Sequence, residues 1–383
     1  MKNIFYILFI SLMYNSQIIA QLSDESTISI LTCKAGDEIY AMYGHTALRV
    51  SDPITHKDEI YNYGLFNFSE PNFTIKFLRG KLLYHLGITN SQRFIYQYTQ
   101  QKRSIIEQVL NLTLDQRNAI YRALIENMKP DNRSYQYDFF FDNCSTRIYD
   151  LLQDNIVGLE YPVQVDKKYS FRSLLDAYTY TWPWTDFGQD LIVGSVADET
   201  AYTEGMSFLP EFFFDILDKS SIGHKPLVKE TTTLLDFEAD NQRRRHKVIQ
   251  TPIWVFSLLL FLELLCLLFC SKASFKSVKW LRILDNLWFS VLGIGSLIIL
   301  FMWFGTDHLT TKKNWNLLWM SPLFLVLLFN KSQRLLLILI GTTLVAILLS
   351  PVVQELHICS ILIMVATLFK LIRHFLYLKV KSA

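Results

Sequence analysis

The chain has 383 residues, a net charge of +2 and 51% apolar side chains. That length holds two or three domains, and a charge so near zero offers no electrostatic footprint for nucleic acid. The five cysteines, Cys33, Cys144, Cys266, Cys270 and Cys359, have neither C-x-x-C nor His-rich spacing, so no metal site and no cofactor is expected.

Residues 1–20 have the layout of a secretory signal peptide. Lys2 supplies the charge, Ile4 to Ile10 the apolar stretch, and Ile18-Ile19-Ala20 a cleavage site before Gln21. Left uncleaved, the segment would be an N-terminal anchor with the same topology. Residues 21–245 then read as one exported α+β domain. Ser26 to Thr32 and Thr46 to Ser51 have strand patterning, and Glu59 to Phe68 follows the turn-forming Ser51-Asp52-Pro53, which predicts a hairpin. Thr113 caps a helix carrying Leu114, Ile120, Leu124 and Met128 at helical spacing, with Gln116 at the capping-box position and Pro130 as the stop.

Chemistry concentrates in two motifs of this domain. In Tyr43-Gly44-His45-Thr46-Ala47, His45 opens a strand after a glycine that permits a tight approach. In Asp142-Asn143-Cys144-Ser145-Thr146-Arg147, Cys144 stands where the aromatic run Tyr135 to Phe141 gives way to the helical spacing of Ile148, Leu151 and Leu152. Asp142 or Asn143 caps that helix. A thiol in a first turn faces unpaired N–H groups and the positive end of the helix dipole, which favour a thiolate and can receive an oxyanion. His45 is the base for that thiol. A third group should fix the imidazole, and Asn62 is chosen from Tyr61-Asn62-Tyr63, with the two tyrosines left open by the unknown register. A Cys33–Cys144 disulfide is the rival reading in an oxidising compartment. Arg147 is expected to pair with Asp150 or to bind a substrate phosphate.

The basic run Arg243-Arg244-Arg245-His246-Lys247 reads as an interfacial collar. Beyond it, residues 252–378 form an all-α membrane bundle of about five transmembrane helices, at roughly 252–271, 284–304, 315–329, 335–350 and 356–377. The third and fourth are short, and Trp315 and Trp319 extend one of them into the interface. Lys272, Lys276, Lys279, Arg282, Lys331, Arg334 and the tail bases lie on one side, against Lys312 and Lys313 on the other, so the N-terminal domain is expected outside. Glu263 inside the first span should face the bundle interior. The outer loop Asp307 to Asn316 is densely polar, and His308, Asn314 and Asn316 are candidates for holding a lipid headgroup.

On these residues the chain resembles a circularly permuted papain-like enzyme of the NlpC/P60 type, where His comes first, a polar third residue next and Cys last, as in lecithin retinol acyltransferase. The order His45, Asn62, Cys144 matches, although such relatives use a second His, and here His56 lies in the intervening turn. The chain is more closely similar to the Lnb family of Bacteroidota, membrane-anchored lipoprotein N-acyltransferases with a periplasmic N-terminal domain. Gly44 to Val50, Asn62-Tyr63-Gly64, Asn132 to Tyr135, Asp142 to Arg147, Phe208-Leu209-Pro210 and Asn314 to Leu318 carry that likeness. The resemblance implies an inner-membrane enzyme that moves an acyl chain from a membrane phospholipid, through a Cys144 thioester, to the N-terminal amine of a diacylglyceryl-cysteine lipoprotein. A membrane-tethered cysteine peptidase or amidase acting on cell-wall peptide and a non-enzymatic chaperone for exported proteins are the alternatives.

Overall fold

The computed structural model describes residues 21–38, 41–163, 169–180, 182–237, 252–269 and 279–382. The signal segment, the basic collar, Cys270, Lys272 and Lys276 lie outside them.

Alternating burial builds the N-terminal sheet. Strands β1 (Thr27–Cys33), β2 (His45–Asp52), β3 (Lys57–Leu65), β4 (Leu83–Asn90), β5 (Ile105–Leu110), β6 (Ser134–Gln136) and β7 (Val228–Leu235) join in the order β7-β5-β1-β2-β3-β4-β6. Every pairing is antiparallel. The period of two sends Ile28 and Ile30 of β1 to one face and Leu31 and Cys33 to the other. The first face is covered by α3 (Leu114–Asn127) and α4 (Cys144–Asn155), through Ile120, Leu124, Ile148, Leu151 and Leu152. The second is covered by α2 (Ser91–Gln100), through Phe94 and Tyr98. A short helix α1 (Phe73–Leu78) lies in the β3–β4 connection.

Helix α3 starts where the sequence places it: Thr113 and Gln116 make the reciprocal capping box, with Gln116 Oε1 3.0 Å from the Thr113 N–H. Three further helices of nine or ten residues follow among the described residues: α5 (Phe171–Thr179), α6 (Pro183–Ile192) and α7 (Pro210–Asp218).

Among the described residues of the membrane domain four helices are long and apolar enough to span: α8 (Pro252–Phe269), α9 (Lys279–Phe304), α11 (Gln333–Val353) and α12 (Ile358–Ser382). The third expected segment differs. It is a 3-10 turn at Trp315–Leu318 followed by α10 (Leu323–Phe329), whose seven residues rise only about 10 Å. The break has a visible cause. Pro322 lacks an N–H, and the chain nests against bare stretches of α9, where a Cβ on Gly293 would meet Leu325 Cγ at 2.5 Å and one on Gly295 would meet Met320 Cε at 2.3 Å. The segment still runs from the outer to the inner end of the bundle, because the Trp315 N–H donates to Gln354 Oε1 just past α11 and Lys331 Nζ donates to Asn286 Oδ1 near the start of α9.

Glu263 finds its partners on α12. Lys370 Nζ donates to Glu263 and, at 3.0 Å, to Asp285, while Arg373 reaches Glu263 at 2.9 Å and Asp285 at 2.7 Å. With His374 Nε2 3.0 Å from Asp285, this network ties α8, α9 and α12 together.

Candidate active site

The loop before α4 is built to hold a thiol at a helix N-terminus. Asp138 and Asp142 exchange two backbone hydrogen bonds at 3.0 Å, and Asp138 Oδ1 accepts the N–H groups of Phe140 and Phe141. Asn143 is the N-cap. Its Oδ1 accepts from the N–H groups of Ser145 at 2.8 Å and Thr146 at 3.1 Å, and its Nδ2 donates to the carbonyls of Phe139 and Phe208. Cys144 follows as the first helical residue, half-buried, with its own N–H outside the cap's reach.

Strand β2 brings His45. Gly44 precedes it at φ 79°, and a Cβ there would lie 2.7 Å from the Cys33 carbonyl oxygen, so the turn admits only glycine. Beyond the turn, Thr46 Oγ1 lies 2.6 Å from Ser145 Oγ, a buried hydroxyl pair that pins the start of β2 to the first turn of α4. His45 is thereby brought beside Cys144, where the two groups act on each other electrostatically.

The neighbouring strand supplies the third group. The register Leu48↔Tyr61 continues to place Asn62 diagonally across from His45 on the same face. Asn62 Oδ1 stands 3.2 Å from His45 Nε2, which leaves Nδ1 for the thiol. Tyr61 and Tyr63 are committed elsewhere: the Tyr61 hydroxyl donates to Glu59, and the Tyr63 hydroxyl accepts from Asn127 at 2.8 Å. His56 sits at the far end of the hairpin, roughly 25 Å along the strand from His45. Just past Asn62 the β3–β4 register slips, and Gly64 at φ 90° leaves room beside the nucleophile, since a Cβ there would come 3.9 Å from Cys144 Cβ.

The electrostatics favour the charged pair. Burial works against the Cys144 thiolate, but the His45 charge and hydrogen bonds from His45, the Thr46 N–H and Ser145 more than offset it and lower the thiol pKa. Burial likewise opposes the imidazolium, and the facing Cys144 thiolate and Asn62 raise the His45 pKa above its ordinary value. Cys33 behaves oppositely. It is free, fully buried, paired in register with His45, and burial pushes it up to about 12. The Cys33–Cys144 disulfide considered from sequence is not formed.

Residues 16–177 match the family description Lnb N-terminal periplasmic domain, and residues 244–382 match Lnb transmembrane domain. The chain belongs to the Lnb family. No curated protein and no solved structure matches it. The Lnb N-terminal domain described above is therefore periplasmic, and the helical domain is membrane-spanning.

The remaining sequence candidates of this Lnb protein fall in different places. Arg147 pairs with Asp142, at 2.5 and 2.7 Å, rather than with Asp150, and its guanidinium lies 3.8 Å from the centre of the Tyr135 ring. Asp150, without that partner, is pushed up to about 6 by burial and by Glu204 and Asp154. His308 sits at the seam between the domains, where a Cβ on Gly80 would meet its ring at 3.1 Å.

Asn314 and Asn316 do not face a ligand. Both are fully buried, and their amides donate to the carbonyls of Leu191 and Ile192 and of Asp190 and Leu191 at the end of α6. Their expected headgroup-holding role gives way to a clamp between the two domains, since a buried amide spent on carbonyls has no donor left for substrate. Sequence reasoning also left Phe208, Thr46 and Ser145 without roles. Phe208 entered only through the motif likeness at Phe208-Leu209-Pro210, and its carbonyl braces the Asn143 cap of the Cys144 helix.

Proposed function

We propose that the protein is an apolipoprotein N-acyltransferase of the bacterial inner membrane that uses Cys144 as nucleophile, His45 as base and acid, and Asn62 to orient His45. The observation that carries the reading is the half-buried His45 ring 3.2 Å from Asn62 Oδ1 and beside Cys144, in a periplasmic domain clamped onto a membrane bundle.

The chemistry runs in two half-reactions. The Cys144 thiolate attacks an ester carbonyl of a phospholipid, and the oxyanion forms against the first turn of α4, where the Cys144 N–H is available. Collapse breaks the ester C–O bond, His45 gives its proton to the leaving alkoxide, and a lysophospholipid departs from an acyl thioester. The N-terminal amine of a diacylglyceryl-cysteine lipoprotein then attacks the thioester, His45 takes the amine proton, and Cys144 leaves as thiolate from the new amide. Ester to thioester is nearly balanced and thioester to amide is downhill, so the second half draws the first forward. Phospholipid as donor and lipoprotein as acceptor both reach the enzyme from the bilayer, which suits a thiol domain seated on membrane helices.

The test is transfer in a defined system. Purified protein, phospholipid vesicles carrying a labelled acyl chain and a diacylglyceryl-cysteine peptide should give a labelled amide and a lysophospholipid in equal amounts. Cleavage of cell-wall peptide without acyl transfer would point instead to a peptidase or amidase.

A further inference from the structure

The β3–β4 connection leaves an apolar surface uncovered. No residue of α1 is buried, and Phe68, Ile75, Phe77, Leu78 and Leu83 are 74%, 58%, 48%, 48% and 52% exposed. Single exposed apolar side chains are ordinary, whereas a contiguous set marks contact with something apolar. Ring contacts join Phe68 and Phe77 into one cluster: Phe68 packs on Phe66 at 4.8 Å and on Phe73 at 5.2 Å, and Phe73 stacks on Phe77 at 6.1 Å.

Its place in the molecule says what that contact is. The span helix α9 ends at Phe304, and three residues later the Asp307 N–H donates to the Arg79 carbonyl at 2.9 Å. Lys81 pairs with the same Asp307 at 3.7 Å. Three residues of chain reach no more than about 10 Å. The headgroup layer beyond the hydrocarbon core is itself about 5 to 8 Å thick. Helix α1 thus lies at headgroup level on the periplasmic side, with Arg79 at its end as a cation for lipid phosphates, while Lys76 pairs with Glu70 and Lys81 with Asp307.

The same segment leads to the thiol. Phe66 stands two residues from Gly64, which abuts Cys144, and its ring meets Tyr84 at 5.2 Å. Tyr84 in turn stacks on Tyr137 at 4.5 Å, in the aromatic run that precedes the nucleophile.

We propose that the β3–β4 connection is a lipid-embedded foot: Phe68, Phe77 and Leu78 enter the periplasmic leaflet, and the wall Phe66, Tyr84, Tyr137 guides a phospholipid acyl chain from the leaflet to Cys144. The embedding stands on geometry alone, while the guiding role rests on the acyl-transfer reading. Aromatic and aliphatic side chains flanked by bases are the composition that membrane interfaces accept.

Full-length protein in nanodiscs of phosphatidylethanolamine and phosphatidylglycerol, with p-benzoylphenylalanine placed singly at Phe68, Phe77, Ile54 or Leu297, tests the embedding by irradiation and intact mass. Phospholipid adducts are expected at positions 68, 77 and the span position 297, and none at the exposed hairpin position 54. Adducts at 297 but not at 68 and 77, or crosslinks from 68 and 77 only to another protein chain, would overturn the embedding. In a second arm, Phe66→Ala should lower acyl-thioester formation from vesicle phospholipid about tenfold, with the rate of Cys144 alkylation by iodoacetamide unchanged. Undiminished acylation in that variant would overturn the guiding role. If the unaltered protein forms no thioester while positions 68 and 77 still take lipid, the acyl-transfer reading fails and the embedding stands.

Discussion

At the scale of single residues, the site is a problem of holding two half-buried charges that partial burial disfavours. Each is stabilised by the other, so their titrations bound the working range. Activity should fall as pH drops through the lowered Cys144 pKa, because the thiolate is protonated, and fall again as pH rises through the raised His45 pKa, because the imidazolium is lost. Iodoacetamide alkylation of Cys144 reads the first limb directly. In His45→Ala the inflection should move to higher pH; an unchanged inflection would mean that His45 does not activate the thiol. Loss of the His45 proton relay should also lower turnover by about 10²- to 10⁴-fold. Asn62→Ala should cost less, since it frees the ring without removing it. Cys33→Ala should retain activity, because a thiol held up to about 12 supplies no nucleophile. The settings of His45 at a strand start and of Cys144 at a helix start were legible because both are local patterns, and Asn62 falls within the strand expected beside His45. The partner of Arg147 was not: Asp150 lies a helical spacing away, but the loop before α4 turns Asp142 back onto the guanidinium.

At the scale of elements, short connections set the geometry. Gly44→Ala places a Cβ 2.7 Å from the Cys33 carbonyl at a left-handed φ, and should cost about 1 to 3 kcal/mol of stability by thermal unfolding together with most of the activity. Strands β1 to β3 and helices α3 and α4 could be read from sequence because period-two burial and capping boxes are local signals. The broken third membrane segment could not. Its apolar composition resembles its neighbours, and the break depends on Gly293 and Gly295 of α9 admitting Leu325 and Met320. Long-range charge pairing was equally hidden, since Glu263 meets Lys370 and Arg373 more than 100 residues away. Glu263→Leu leaves these bases short of a counter-charge in a buried setting. It should destabilise the bundle by about 3 to 5 kcal/mol, read as a lower unfolding temperature in detergent. An unfolding temperature equal to that of the unaltered protein would mean that Asp285 suffices.

At the scale of the whole molecule, the seam between domains decides how the thiol meets the bilayer. Gly194 donates its N–H to the Thr310 carbonyl, Ser195 to that of Lys313, and Gln354 Nε2 to that of Val193, alongside the Asn314 and Asn316 clamp. A Cβ on Gly194 would fall 1.8 Å from the Lys312 carbonyl oxygen, so Gly194→Ala must pry the seam open. That variant should keep Cys144 alkylation near normal and lose acylation from vesicle phospholipid, which separates an intact site from a correctly seated one. The central claim is that Cys144 carries the acyl chain. Intact mass of the full-length protein after incubation with phospholipid vesicles tests it most directly. One added acyl group is expected, removed by hydroxylamine and absent in Cys144→Ser and His45→Ala. An unmodified Cys144 in protein that still transfers acyl chains to the lipopeptide would contradict it.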